Sequence, residues 1–280
     1  MTTIAQINIE EEVARALQED CGSGDLSAAL LDPKKKAVAH VVTREDMVLC
    51  GQDWFNAVFS QIDSSMDLHW NFQEGDFVDQ GSVICEIKGP CASILTAERT
   101  ALNFLQLLSG TATLTWHYVK ALEGGSTRLL DTRKTIPGLR LAQKYAVRCG
   151  GGINHRIGLY DAILIKENHI KAAGSIEQAV VSARSLSPDV MLEVEVETLA
   201  EFEQALSLKV DRVMLDNFSE SMLDQALSYD KGKTEIELSG NITLDKISFW
   251  ARTGVDYISV GAMTKHVRAI DLSLRLIELD

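Results

Sequence analysis

The second half of the chain repeats one pattern, a short apolar run that ends in polar residues and is followed by a stretch with helical periodicity. Helical patterns such as GLRLAQKYAVRC and SIEQAVVSARSL lie between successive runs. Strands that alternate with helices in this way are typical of a parallel sheet with right-handed crossovers. The predicted strands lie at residues 128–134, 162–168, 191–197, 212–217, 236–241 and 257–263.

The polar ends of the predicted strands favour a barrel over an open sheet. Each strand finishes in charged, amide or glycine residues, such as Lys166-Glu167-Asn168. In a β/α barrel such ends converge on one mouth. An open dinucleotide-binding sheet would use one or two loops, and no GxGxxG follows a strand here. Because six strands are fewer than eight, we predict an incomplete parallel β/α barrel.

The first part of the chain has a different pattern. The segment LHWNFQEGDFVDQGSVICEIKG alternates short strands with Gly and Asp turns, and helical stretches flank it. We therefore predict an N-terminal α+β sandwich domain over residues 1–109 and a β/α barrel domain over residues 110–269. Residues 270–280 have no strand after them, and we expect a C-terminal helix that packs on the first domain.

Composition excludes several classes of protein. With a sequence pI near 4.9, an extended basic face for nucleic acid is not expected. No apolar run approaches the roughly 18 residues of a membrane span. The five cysteines form no CxxC spacing, so we expect a reducing cytoplasm and no structural zinc site.

Residues 128–171 concentrate positive charge in a chain whose formal net charge is -13. The stretch holds nine lysines and arginines against three acids. Several of these cations stand beside Gly, Pro or Thr, a placement typical of functional loops. This local excess indicates a focused site for a small, multiply charged anion. The candidate residues are Arg133, Lys134, His155, Arg156 and Lys166.

The residue types in this set predict different contacts. Arginine suits bidentate recognition of carboxylates, whereas lysine serves as a point charge for phosphate. Lys166 follows the apolar run Ala-Ile-Leu-Ile, so we expect it in the mouth, although a surface lysine is the simpler alternative. A lone histidine is more often structural, but His155 stands beside Arg156 and after three glycines. We expect it to donate to an anionic ring.

Acidic residues and glycines complete the predicted mouth. Glu193, Glu195 and Glu197 alternate along one strand and share a face, which is costly inside a barrel unless they bind something cationic. A solvated strand edge is the alternative. Glu195 with Asp216 makes an oxygen-ligand set suited to Mg²⁺. The strand ends that carry Ser239, Gly240 and Gly261 lie where barrels bind phosphate, or they simply form tight turns.

A series of longer motifs runs through the chain. The first are EDCGSGDLSAALL (19–31), TREDMVLCG (43–51) and TAERTALNFLQLLSGTAT (96–113). The later ones are DTRKTIPGLR, GGGINHRIGLYDAILIKENHI, EVEVE, MLDN, ELSGNI and YISVGAMT. In this order and nearly end to end, they resemble the quinolinate phosphoribosyltransferase family, also called the nicotinate-nucleotide pyrophosphorylases.

The resemblance implies an α/β sandwich followed by an incomplete barrel, and a Mg²⁺-dependent reaction of quinolinate with phosphoribosyl pyrophosphate in NAD biosynthesis. The products would be nicotinate mononucleotide, pyrophosphate and CO₂. It also implies a homodimer, or a higher oligomer, with sites at the interface. By residue, the resemblance implies that quinolinate is contacted by Arg133, His155, Arg156 and Lys166, with Arg99 from the other subunit. It implies that Lys134 contacts the pyrophosphate, and that Glu195 and Asp216 contact the ribose and Mg²⁺. The 5′-phosphate would be contacted by Ser239, Gly240 and Gly261.

Three other functions stay open on sequence alone. A paralogue of the same fold could use another acceptor, but the full cationic set argues against it. A non-catalytic phosphometabolite-binding protein would gain nothing from Glu195 and Asp216. A lipoyl-like carrier role for EGDFVDQGSVICEIKG (residues 74–89) lacks a modifiable lysine at the hairpin tip.

Overall fold

A computed structural model describes residues 7–250 and 252–279, and within them the chain divides into two units. Unit 1 combines residues 7–116, 141–151 and 266–279. Unit 2 combines residues 117–140 and 152–265, with residue 251 outside the described part. Neither unit is a continuous segment of the sequence.

Unit 1 is built from helices and antiparallel strands. Its helices are α1 (Ile9–Cys21), α2 (Gln52–Ile62) and the part of α3 (Cys91–Ala121) up to residue 116, with a 3₁₀ turn at Ala28–Leu30. Its strands are β1 (Lys36–Thr43), β2 (Met47–Val48), β3 (Asp67–Trp70), β4 (Phe77–Val78), β5 (Val83–Pro90) and β12 (Leu272–Leu279). Four of them form a sheet in the order β12-β1-β5-β3, and β2 pairs with β4.

The polar residues of α3 hold the segment that leads into α2. The Ser109 hydroxyl lies 3.0 Å from the Cys50 amide nitrogen and 3.1 Å from its carbonyl oxygen. The Thr113 hydroxyl accepts the amide N–H of Val48 at 2.8 Å. All of these groups are buried, so the hydroxyls satisfy backbone groups that would otherwise lie unpaired in the core.

The C-terminal segment is a strand, and the prediction of a helix over residues 270–280 was wrong. Residues of β12 pair antiparallel with β1, from Leu272 opposite Thr43 to Leu279 opposite Ala37. Leu272, Leu274 and Leu276 recur at every second position, which is the period of a strand. The short length of the segment hid this alternation.

Unit 2 contains the repeated strand and helix pattern. Its parallel strands are β6 (Arg128–Leu130), β7 (Ile163–Ile165), β8 (Leu192–Val196), β9 (Arg212–Asp216), β10 (Glu235–Ser239) and β11 (Tyr257–Ser259). Its helices are α5 (Glu167–Ala173), α6 (Ile176–Leu186), α7 (Leu199–Ser207), α8 (Glu220–Leu227), α9 (Ile247–Trp250) and α10 (Ala262–Lys265). Helix α4 (Arg140–Cys149) begins in unit 2 and continues in unit 1.

Three of the barrel helices begin at side-chain caps. Ser175, Thr198 and Ser219 accept the amide N–H groups of the third residue beyond them and start α6, α7 and α8. Such caps satisfy amide groups that have no partner within the helix. Each cap sets the residue at which the helix begins. The connection from the preceding strand therefore has a fixed length, and the polar strand end has a fixed position.

The six-stranded sheet confirms the predicted incomplete β/α barrel. Its order is β6-β11-β10-β9-β8-β7, so the first strand of this sheet in the sequence lies beside its last, as in a barrel. Within the described residues, β6 and β7 do not pair with each other. Ile153 forms a single parallel bridge to Leu130 on the free side of β6. No described helix is both long and apolar enough to cross a membrane.

Candidate active site

The C-terminal ends of the barrel strands surround one cavity in unit 2, with a volume of about 220 Å³. Every barrel strand contributes to it, as expected for a barrel mouth. We call this cavity the mouth. Its lining residues are Thr132, Arg133, Lys134, His155, Arg156, Leu164, Lys166, Glu195, Met214, Asp216, Glu237, Ser239 and Ser259.

The mouth brings together eight of the eleven residues predicted from the sequence, which are Arg133, Lys134, His155, Arg156, Lys166, Glu195, Asp216 and Ser239. Gly240 follows Ser239 directly. A Cβ atom on Gly261 would lie 3.0 Å from Lys134 Cδ and 3.3 Å from Thr132 Oγ1, so this glycine borders the mouth. Arg99 does not line it: it is exposed on α3 in unit 1, 3.9 Å from the Glu98 carboxylate.

Two arginines form one side of the mouth. Arg156 is half-buried, and its pKa is lowered by burial and by the neighbouring positive charge of Arg133. The Arg133 Nε atom is buried and has no hydrogen-bond partner among the described residues. The two guanidinium groups repel each other, and the Arg133 Nε donor has no partner in the described part of the chain. Both features favour binding of an anion with more than one acceptor atom.

Facing them, carboxylates and a lysine lie at the ends of β7, β8 and β9. The Lys166 ammonium group forms an ion pair with Glu195. The Asp216 Oδ2 atom accepts a hydrogen bond from the Asn217 amide at 2.9 Å. Glu195 is largely buried whereas Lys166 is partly exposed, so the lysine can change partner more readily than the glutamate.

The turn after β10 requires glycine. Gly240 has a φ of 98°, and a Cβ atom there would lie 2.2 Å from Asn217 Oδ1 and 2.8 Å from Asn217 N. The amide N–H of Asn217 donates to the Ser239 carbonyl oxygen at 3.0 Å. The ends of β9 and β10 therefore approach so closely that only a residue without a side chain fits at position 240.

His155 lies at the base of the mouth. Its Nε2 atom is 2.9 Å from Glu193 Oε2 and 3.5 Å from Glu237 Oε2. Its Nδ1 atom accepts the amide N–H of Arg156 at 2.7 Å, so the ring hydrogen is assigned to Nε2, towards the carboxyl groups. In this structure the predicted anion donor therefore faces acidic side chains.

The two carboxyl groups under His155 are buried together. Burial, the largest cause, raises the pKa of Glu193 to about 7 and that of Glu237 to about 8. Arg212 donates to Glu237 at 3.2 Å and to Glu235 at 2.8 Å, and its guanidinium carbon lies 4.1 Å from the centre of the Tyr257 ring. The base of the barrel thus holds two buried carboxyl groups with raised pKa values between a histidine and an arginine.

Glu237, Ser259 and Arg212 were not singled out in the sequence. Glu237 shares a strand face with Ser239, two positions later, which is the one signal that could have identified it. Arg212 begins β9, where a charged residue is typical of a solvent-exposed strand start. Only the closing of the sheet carries these side chains inward.

The fold and the mouth define an enzyme of the β/α-barrel class. Residues 25–109 match the N-terminal domain of the quinolinate phosphoribosyl transferase family, and residues 111–275 match its C-terminal domain. The chain belongs to this family of pentosyltransferases, as the sequence resemblance indicated.

Individual relatives are similar over nearly the whole chain. A probable carboxylating nicotinate-nucleotide pyrophosphorylase of Bacillus subtilis (strain 168) is 38% identical over 91% of this chain and 89% of its own length. A decarboxylating quinolinate phosphoribosyltransferase of Nicotiana tabacum is 39% identical over 93% of this chain and 80% of its own. The structure of the nicotinate-nucleotide pyrophosphorylase from Francisella tularensis is 51% identical, with a TM-score of 0.95, over 99% of this chain and 100% of that one.

Proposed function

We propose that the protein transfers the phosphoribosyl group of phosphoribosyl pyrophosphate to quinolinate with loss of CO₂. The products are nicotinate mononucleotide and pyrophosphate, and the reaction is a step of NAD biosynthesis. The Nicotiana tabacum relative bears the name of this activity. The observation that carries the proposal is the pair of crowded guanidinium groups opposite two strand-end carboxylates in one mouth.

The arginine side of the mouth fits a pyridine dicarboxylate. The unused Arg133 Nε donor and the repulsion between Arg133 and Arg156 are both relieved when two adjacent carboxylates bind there. Lys166 adds a third cation once it leaves Glu195. His155 would reach a quinolinate carboxylate only by turning its Nε2–H away from Glu193 and Glu237. A substrate with one carboxylate would leave part of this charge unpaired.

The acidic side fits the sugar. As the bond from the anomeric carbon to pyrophosphate breaks, positive charge develops on the ribose, and Glu195 and Asp216 stabilise it while binding the ribose hydroxyls. Their carboxylate oxygens are hard ligands that suit Mg²⁺, so these two residues would hold it. Mg²⁺ would neutralise charge on the pyrophosphate oxygens.

The remaining residues fit the phosphates. Lys134 is exposed at the edge of the mouth and would contact the departing pyrophosphate as a point charge. The backbone at Ser239, Gly240 and Gly261 would bind the 5′-phosphate. Gly240 leaves room for that approach because no side chain can stand there without meeting Asn217.

The chemistry needs no covalent enzyme intermediate. The ring nitrogen of quinolinate forms a bond to the anomeric carbon, and pyrophosphate leaves with the electron pair of the broken bond. The nitrogen is then a pyridinium. When the adjacent carboxylate leaves as CO₂, its bonding pair stays on the ring carbon, where the positive nitrogen stabilises it until that carbon takes up a proton.

We further propose a homodimer or a higher oligomer, in which Arg99 of one copy contributes to the quinolinate site of another. The exposed position of Arg99 in unit 1 is compatible with this role. All five cysteines are free thiols, which supports the cytoplasm as the compartment.

A turnover assay tests the proposal directly. Quinolinate and, separately, nicotinate are mixed with phosphoribosyl pyrophosphate and Mg²⁺, and nicotinate mononucleotide and CO₂ are followed. We expect product from quinolinate alone. Product from neither acceptor, with phosphoribosyl pyrophosphate still bound, would indicate a different acceptor and refute the proposed reaction.

A pair of variants tests the arginine side. Arg133→Ala should lower kcat/KM for quinolinate at least roughly 30-fold, since truncating a contact to a buried charge costs about 2–5 kcal/mol. Arg128→Ala is the matched control, because Arg128 lies in the same basic stretch but contacts Tyr257 and Glu235 outside the mouth. Near-normal turnover by Arg133→Ala would show that the assignment is wrong.

A further inference from the structure

Two cysteines and a glutamate that are far apart in sequence meet in unit 1. Cys50 lies two residues before the start of α2, Glu74 lies in the turn before β4, and Cys149 is the last residue of α4. The ligand atoms of the three side chains all lie within 4.8 Å of one another. The Cys149 sulfur is 3.8 Å from Glu74 Oε2. None of these residues lines the mouth.

The start of α2 fixes the glutamate. Glu74 Oε1 accepts the amide N–H groups of Gly51 at 2.8 Å and Gln52 at 2.6 Å. These amides have no partner within the helix, and the helix N-terminus favours negative charge. One carboxylate oxygen is therefore occupied by backbone, and Oε2 is directed at the Cys149 sulfur.

The spacing of the three groups suits a metal ion. With metal–sulfur bonds of about 2.3 Å and metal–oxygen bonds of about 2.1 Å, ligand atoms of a tetrahedral site lie about 3.5–3.8 Å apart. The distance from Cys149 to Glu74 already has this value. Small side-chain rotations bring the remaining pairs to it, because the upper bound on every pair is 4.8 Å.

Burial around the cluster would shield a bound ion from bulk water. Cys50 is fully buried, and Glu74 and Cys149 are half-buried. Tyr145, one helical turn before Cys149, is nearly buried beside them. Each thiol would release its proton to solvent as its sulfur binds a metal ion.

We propose that Cys50, Glu74 and Cys149 form a binding site for one thiophilic divalent cation, with Zn²⁺ as the natural occupant. Two sulfurs and one carboxylate oxygen are a donor set that Zn²⁺ accepts and that Mg²⁺ and Ca²⁺ do not favour. Cys149 is half-buried, which gives the ion a path from solvent, and water completes the tetrahedron. The site shares no residue with the proposed reaction, so either can fail without the other.

The test uses Cd²⁺ as a probe on the full chain, kept reduced with a phosphine. We expect one Cd²⁺ per chain and an ultraviolet thiolate-to-metal charge-transfer band, with Zn²⁺ displacing the probe. Cys149→Ser should weaken binding more than 100-fold, beyond the roughly 10–100-fold cost of losing an outer partner of a metal ligand. Glu74→Gln should weaken it by less, on the order of tenfold, because the amide keeps an oxygen ligand and loses only the negative charge.

Cys21→Ser is the matched control, because Cys21 is also half-buried and also the last residue of a helix. It should bind Cd²⁺ as the parent does. A second measurement covers variants that fold poorly: Zn²⁺ should raise the melting temperature of the parent and of Cys21→Ser but not of Cys149→Ser. Three results would overturn the proposal: no stoichiometric binding by the parent, equal binding after loss of both Cys50 and Cys149, or equal weakening by Cys21→Ser.

Discussion

The buried carboxyl pair at the base of the barrel predicts an unusual dependence of stability on pH. Glu237 is fully buried, and burial raises its pKa from 4.5 to about 8. Between these values the folded protein binds a proton that the unfolded chain has lost. Stability should therefore fall as pH rises from about 5 to 8. A neutral Glu237→Gln side chain removes one of the two titrating groups and should make this dependence less steep, with Glu193 contributing the remainder.

The size of the effect follows from the shift. Each pKa unit corresponds to about 1.36 kcal/mol, so Glu237 alone contributes on the order of 4–5 kcal/mol across this window. At about 2–4 °C per kcal/mol for domains of this size, the parent should lose on the order of 10 °C in melting temperature between pH 5 and 8. The Gln variant should lose only what other groups contribute.

The assay is thermal unfolding at half-unit steps of pH, followed by circular dichroism. Glu235→Gln is the matched control, since Glu235 also accepts from Arg212 but is 39% exposed, and it should keep the slope of the parent. If Glu237→Gln loses as many degrees as the parent over the same range, the carboxyl pair does not hold a proton at neutral pH, and the reasoning from burial is refuted.

Three further outcomes are expected from the structure. Gly240→Ala should destabilise the protein by about 1–3 kcal/mol or more, because the added Cβ would meet Asn217. Gly124 has a similar φ and nothing within 4 Å of an added Cβ, so Gly124→Ala should cost clearly less in the same melting experiment. Ser109→Ala should cost about 1–3 kcal/mol in denaturant unfolding, because it leaves the buried backbone groups of Cys50 without their partner. A change below about 0.5 kcal/mol, the size typical of surface substitutions, would contradict this. Chelation of divalent cations should abolish turnover while quinolinate binding, measured by calorimetry, persists; unchanged turnover would remove Mg²⁺ from the proposed reaction.

The barrel could be predicted from the sequence because its signal is local. Each strand is a short apolar run with a polar end, and three of the helices begin at a capping residue, so the order of elements follows from the pattern. The residues at the mouth follow for the same reason. Lys166, Glu195 and Asp216 end their strands, and parallel strands bring those ends to one edge.

Features that depend on contacts between distant segments were not predictable in this way. Arg212 and Glu237 are separated by a helix and a loop, and only the curvature of the sheet buries them against each other and under His155. Cys50 and Cys149 show no metal-binding spacing, yet the packing of residues 141–149 within unit 1 brings them together. Arg99 reads as a surface charge on α3, and the role proposed for it requires a second copy of the chain.

The pairing of β12 with β1 affects the order in which the chain can fold during synthesis. Strand β1 is made early, within residues 36–43, but its neighbour on one side is the last strand of the chain. Until β12 has been synthesised, the edge of β1 that it will cover has unpaired backbone groups, which can associate with other chains. The barrel of unit 2 is complete by residue 265. The unit that emerges first from the ribosome is therefore the last to be finished, and it is the one that most needs protection while the chain is growing.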